Sequence, residues 1–153
     1  MTSSCLTLIK HNELGPAFAH IYLLSPQGSV QQVVTNGRSI RFSNFSKLAG
    51  ISWLTRDELV FLRSGTFKVT FSLNYGNNNN AAQVALYLNN VPMIGAFGTT
   101  SPLVAGVGRI TGTYVLKFNV NDRIKIVGIA NTFTIRSTGI NDEIIATMTV
   151  TEE

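Results

Sequence analysis

Apolar and polar residues alternate with a period of two through Ile110–Gly128, ITGTYVLKFNVNDRIKIVG. Tyr114, Leu116, Phe118 and Val120 are interleaved with Val115, Lys117 and Asn119, and Ile124 and Ile126 with Arg123 and Lys125. Successive side chains of a strand point to opposite faces, so this pattern predicts two strands, each with one face in a core. Asn121-Asp122 between them supplies turn chemistry, because both residues tolerate left-handed backbone and hydrogen-bond their own chain. An antiparallel pair is therefore expected here.

The same reading extends along the chain. Ala17–Leu24 (AFAHIYLL) predicts a first strand, closed by Ser25-Pro26-Gln27-Gly28, and Val30–Val34 a second before the hairpin signal Asn36-Gly37. Ile40-Arg41-Phe42 reads as a short strand, followed by a polar connection through Asn44, Ser46 and Lys47. Gly50–Leu54 and Leu59–Phe61 are further strands, and TFKVTFSLNY puts Phe67, Val69, Phe71 and Leu73 on one face. Asn77–Asn80 cannot pack apolar surface and predicts an exposed loop.

Val84, Leu86 and Leu88 alternate up to an Asn89-Asn90 turn, and Val91-Pro92-Met93-Ile94 starts another strand, with Pro92 favouring a strand start or a sheet edge. Residues 95–109 read as a long connection or an irregular edge strand. Phe133–Ile135, a turn at Thr138-Gly139 and Ile144–Val150 complete the chain. About ten short strands at 8–12 residue spacing, with no amphipathic helix, predict an all-β sandwich or barrel.

The chain has 153 residues, one domain's worth. Such a length buries roughly 70% of its unfolded surface, enough for a core without staples. Charged residues are only 13%, while asparagine occurs fourteen times. A surface poor in charge and rich in Asn, Ser and Thr suits contact with other polar surfaces or packing into an assembly. The net charge is +4, but the twelve basic residues are scattered with no run of three. That distribution argues against nucleic acid as a partner.

No segment reaches the ~18 apolar residues of a membrane span, so no membrane insertion is expected. The start, MTSSCLTLIKHNE, carries no recognisable signal peptide. Cys5, the single cysteine, has no intrachain partner. It is either a free thiol on an N-terminal arm or the site of an intermolecular disulfide.

Catalytic and metal chemistry find few parts. The two histidines are His11, in the predicted arm of residues 1–16, and His20, between Ala19 and Ile21 of the first strand. His20 reads as a structural or interface residue, not a base beside a nucleophile and a carboxylate. Asp57-Glu58 and Asp142-Glu143 are chain neighbours at strand ends, where acids are ordinarily solvated. Together with Asn141 and Asp122 they fall short of a calcium shell of six to eight oxygens. No enzyme activity, metal or cofactor is expected. A carbohydrate site would draw on Trp53, Tyr87, Tyr75 and the Asn77–Asn80 loop, although Trp53 also reads as core.

Several blocks together resemble the C-terminal domains of the collagen-like exosporium glycoproteins of Bacillus, within the complement-globular-head and tumour-necrosis-factor jelly-roll superfamily. They are the FAHIY strand, the segment Gly37–Asn44, Gly50-Ile51 and the run Leu59–Val69. Leu86–Pro92 is similar to the family's strand ending in an Asn-Gly-x-Pro turn, with Asn90 where Gly is usual. Asn121–Ile124 is similar to its Gly-Asp-x-aliphatic turn, with Asn121 for Gly. Both replacements keep a residue that tolerates positive φ. Ala146–Val150 resembles the closing strand.

The resemblance covers residues 17–153 and implies a ten-stranded jelly roll that assembles as a compact homotrimer. His20, Tyr22, Thr113 and Val115 are the candidate contact residues for that assembly. Thr113 and Val115 lie opposite Tyr114, Leu116 and Phe118, and Lys117 leaves one end of their face wet. The family also implies a non-enzymatic structural role on the spore surface, in the exosporium or another extracellular layer, with other coat proteins or glycans as further partners. A carbohydrate- or receptor-binding trimeric head, lectin-like or from a phage, is the alternative. Family members of the exosporium type carry a Gly-x-y stalk before this domain. Residues 1–16 contain no such repeat, which sets the chain apart from a filament role.

Overall fold

The computed structural model describes residues 15–25, 30–76, 82–99, 107–138 and 142–153, with backbone alone at 30–31 and 94–99. Two antiparallel sheets face each other, and among the described residues there is no helix. One sheet contains β1 (Phe18–Leu24), β2 (Val30–Val34), β3 (Asn44–Ala49), β6 (Gly65–Gly76), β9 (Gly108–Phe118), β11 (Phe133–Arg136) and β12 (Ile144–Glu152). The other has the order β4 (Ile51–Thr55), β5 (Glu58–Phe61), β10 (Arg123–Gly128), β7 (Gln83–Leu88) and β8 (Val91–Thr99). The first sheet runs β3-β1-β12-β6-β9, with β11 and then β2 paired to the far end of β6.

Aromatic packing joins the sheets. Phe61 of β5 stacks on Phe118 of β9 at 4.2 Å and 11°, and meets Phe67 of β6 edge-on at 4.7 Å. All three are fully buried. Each such side chain contributes roughly 1.5–3 kcal/mol of transfer free energy relative to an exposed one. The inward rows of the larger sheet carry Ile21, Met148 and Phe71 side by side, and next to them Leu23, Ala146, Leu73 and Ile110.

Both replacement turns have the expected backbone. Asn89, Asn90 and Asn121 sit at φ of 51°, 67° and 72°. The two turns are also tied to each other: the Asn89 amide donates to Asp122 Oδ1 (3.0 Å), and its Oδ1 accepts the Arg123 N–H (2.9 Å). Chain entry and the end of β12 are fastened together as well. Arg63 pairs with Glu152 and donates to the Gly15 carbonyl, and the Ala17 N–H donates to Glu152.

Several expectations need correction. The polar stretch after Phe42 is strand β3, paired along β1. Ile40–Phe42 is not a ladder strand, although Ile40 and Phe42 are core; the isolated bridge beside it joins the preceding Ser39 to Val127. The N–H groups of Ile40 and Phe42 go to the carbonyls of Ile126 and Arg56, and both backbone groups of Arg41 go to the Gln32 side chain. Asn36-Gly37 does turn the chain, with Gly37 at φ 87°, but β2 pairs with β11 and not across this turn. Residues 95–99 bear out the edge-strand alternative: they continue β8, which lies at the edge of its sheet and shifts register against β7, and among the described residues the strands number twelve. Cys5, His11, the Asn77–Asn80 run and Gly139 lie outside the described residues.

Candidate functional site

The four contact candidates come from strands far apart in sequence and fall on one face. Register runs His20 to Thr149 to Thr70 to Thr113 straight across β1, β12, β6 and β9. The adjacent rows are Tyr22, Thr147, Ser72, Thr111 and Phe18, Thr151, Lys68, Val115. Because each row keeps parity, His20, Tyr22, Thr113 and Val115 all project from the outer face of the larger sheet. Val115 is 57% exposed.

That face is built from hydroxyls and rings. The His20 and Tyr22 rings lie 5.5 Å apart, and His20 Nδ1 is 2.7 Å from Ser46 Oγ on β3. Lys47 Nζ stands 5.7 Å from the centre of the Phe18 ring, a cation–π contact. Thr70 and Thr113 hydroxyls are 3.5 Å apart. None of the residues in these three rows is acidic, and Lys68 and Lys117 occupy one end. Such a surface offers shape and hydrogen bonds, and among the described residues of these rows no carboxylate stands beside His20 to complete a triad with Ser46.

Trp53 and Tyr87 do not come together. Trp53 shares a row with Leu59, Ile124 and Leu88, which faces the core. Tyr87 neighbours Leu88 and pairs with Lys125, so it projects from the opposite face of the same sheet. Trp53 packs on the core and meets Phe45 edge-on at 5.9 Å; its indole N–H is buried without a hydrogen-bond partner. Tyr75 is core as well, 4% exposed. One sugar site cannot be lined by both Trp53 and Tyr87.

The acids brace turns. Asp122 Oδ2 accepts the Asn119 N–H at 2.8 Å. Glu143 accepts the Ser137 hydroxyl (2.8 Å) and the Thr138 N–H (2.7 Å). Asp57 accepts the hydroxyls of Ser39 (2.6 Å) and Thr55 (2.8 Å). Partial burial pushes the Asp57 carboxyl up, but these hydrogen bonds and the Lys125 charge outweigh it and hold the group below the ordinary carboxylate range. Among the described residues no cluster of three His, Cys, Asp or Glu could hold a metal ion.

Two concavities escaped the sequence pattern. One, lined by Leu62, Arg63, Val120 and Glu152, surrounds the clamp at chain entry. The other, of about 300 Å³, is lined by Gln32, Val33, Thr35, Arg38, Ser39 and Arg41. Its sequence signal was the pair of arginines three apart, with buried Ile40 between them.

The chain matches no family model and no curated protein sequence. Solved structures do match it. Eiger TNF from S. frugiperda superposes with a TM-score of 0.69 at 11% identity, covering 90% of this chain and 93% of that one. Murine APRIL gives 0.63 at 6% identity, covering 90% and 99%. The globular domain of zebrafish complement 1qA protein gives 0.60 at 11% identity, covering 88% and 94%. The fold is the tumour-necrosis-factor and complement-head jelly roll. At these identities the likeness establishes this jelly-roll architecture and nothing finer.

Proposed function

We propose that this jelly roll is a non-enzymatic module that acts by self-association, as a homotrimer, and by contact with other proteins of a bacterial spore-surface layer. The observation that carries the reading is the outer face of the larger sheet. There β1 and β9, at opposite sides of β12 and β6, present His20, Tyr22, Thr113 and Val115 in three adjacent rows free of carboxylates. Rings, hydroxyls and one exposed valine suit burial between copies, with Lys68 and Lys117 left at the wet end of the face. The jelly-roll likeness supports the same reading, because the superfamily resemblance implies trimers. The exosporium setting rests on the sequence resemblance alone.

The solution mass tests the assembly. Size-exclusion chromatography with light scattering should find three times 16.6 kDa, with and without reductant. A monomer under both conditions overturns the trimer. Labelling of intact spores with an antibody to this chain tests the location, and staining confined to the cell interior would reject it.

A further inference from the structure

The geometry points to a binding site for an acidic sugar unit, a saccharide bearing a carboxylate or sulfate, in the recess between Arg38 and Arg41. The recess holds about 300 Å³, the low end of ligand pockets and more than a bare ion needs. Both guanidinium groups belong to exposed side chains, yet their backbone is fixed. Arg38 N–H donates to Thr35 O (3.0 Å), and Arg38 O accepts from Gly128 N (2.9 Å). Ile40, 0% exposed, and Phe42, 1% exposed, anchor the segment on either side of Arg41. The Gln32 carboxamide grips Arg41 at both backbone groups, which leaves one of its N–H hydrogens for a ligand.

Charge gives the chemical class. Among the described residues, no carboxylate lies within ion-pair distance of Arg38 or Arg41, whereas Arg63 is paired with Glu152. The acid that touches this segment, Asp57, is directed at Ser39 and Thr55, with the Lys125 charge beside it. Two unneutralised guanidinium forks at one concavity match the planar pair of oxygens of a carboxylate or sulfate. Val33, 60% exposed, lines the same recess and supplies an apolar patch for the carbon face of a sugar ring. Thr35 adds a hydroxyl. Of its lining only Val33 comes from the outer face of the larger sheet, at β2 beyond the far end of β6 and away from the rows of His20 and Thr113, so the site is tested apart from the trimer.

Titration of the full chain with glucuronate, glucosamine 6-sulfate, glucose and inorganic sulfate, followed by amide chemical shifts, tests the assignment. Saturable shifts at Gln32–Arg41 are expected with one or both acidic sugars and none with glucose, and the two acidic sugars distinguish carboxylate from sulfate. Arg38→Gln and Arg41→Gln should each weaken binding at least about tenfold. Lys68→Gln, on the outer face, should leave it unchanged. Three results would overturn the proposal: no saturation with either acidic sugar, equal binding by the arginine variants, or inorganic sulfate binding as tightly as the sugars. Both arginine side chains are exposed, so an unchanged spectrum outside the recess verifies that the variants fold.

Discussion

The ring of Phe71 lies across Gly112, its partner on the adjacent strand, so closely that a Cβ at position 112 would stand 2.5 Å from Phe71 Cε1. Tyr75 covers Gly108 in the same way four residues along, with 2.6 Å to Cε1. Glycine is needed at 112 for space. A methyl there must displace a fully buried ring, and overpacking of this kind costs roughly 1–3 kcal/mol. Gly112→Ala should therefore lower the thermal midpoint. Combined with Phe71→Leu it should cost less than the two single changes added, because the ring is what the methyl meets. Strict additivity in a denaturation cycle would show that the contact is not the cause.

The two asparagines of the β7–β8 turn are not equivalent. Both adopt positive φ, but Asn89 also holds Asp122 and Arg123 through its side chain. Asn90→Gly should be neutral or stabilising by a few tenths of a kcal/mol, since glycine meets no steric penalty there. Asn89→Gly keeps the backbone option and loses two hydrogen bonds, a cost of about 1–2 kcal/mol. Urea midpoints of the two variants measure the difference. Equal midpoints would mean the tie between the turns contributes nothing.

Acid should loosen the fold at two braces. For Glu143, slight burial pushes the carboxyl up, but hydrogen bonds from Thr138 and Ser137 and the charge of Arg109 hold it below its ordinary value, the same direction as Asp57. A carboxyl lowered on folding adds stability that is present above its unfolded pKa and lost as pH falls through its folded one. Stability should thus be level near neutrality and decline from about pH 4 downward. Ser39→Ala and Ser137→Ala should each flatten part of that decline, because they return the carboxyls toward unfolded behaviour. An unaltered acid limb in both variants would remove these braces from the account.

Charge placed on the outer face should separate assembly from folding. Val115 pairs with Lys68 and neighbours Lys117 on the same face, so Val115→Arg brings a third cation to one spot. The side chain is already more than half exposed, and the monomer should keep its midpoint within about 0.5 kcal/mol. Its mass should fall to 16.6 kDa. Val91→Arg, equally exposed at the far sheet, should leave the mass unchanged. A trimer that tolerates Val115→Arg would move the contact elsewhere.

Legibility tracked burial. β6, β9 and β10 were readable because one face of each meets the core, and alternation survives in their sequences. β3 was not, because Phe45, Ser46 and Lys47 are all exposed and no buried face marks a period. Ile40–Phe42 misled in the opposite sense: its apolar alternation is real, but a glutamine side chain stands where a strand partner was expected. The grouping of the four candidates on one face was partly legible, since parity within β9 sets Thr113 and Val115 apart from Tyr114. Parity between strands needs register, and only register separates Trp53 from Tyr87. The arginine recess was hidden for a related reason. It forms where β2 meets a pinned loop, and neither follows a period.

The clamp of Arg63 and Glu152 around Gly15 and Ala17 has a mechanical consequence. β1 and β12 are antiparallel neighbours, so Gly15 and Glu153 lie at the same end of one ladder. Tension between those two points does not shear the sheet, where many bonds would resist at once. It peels the ladder from Phe18 and Thr151 inward, one pair at a time, and the clamp is the first latch to give. In single-molecule pulling, Glu152→Gln should lower the opening force from these two points and leave it unchanged when load enters through the β7–β8 turn.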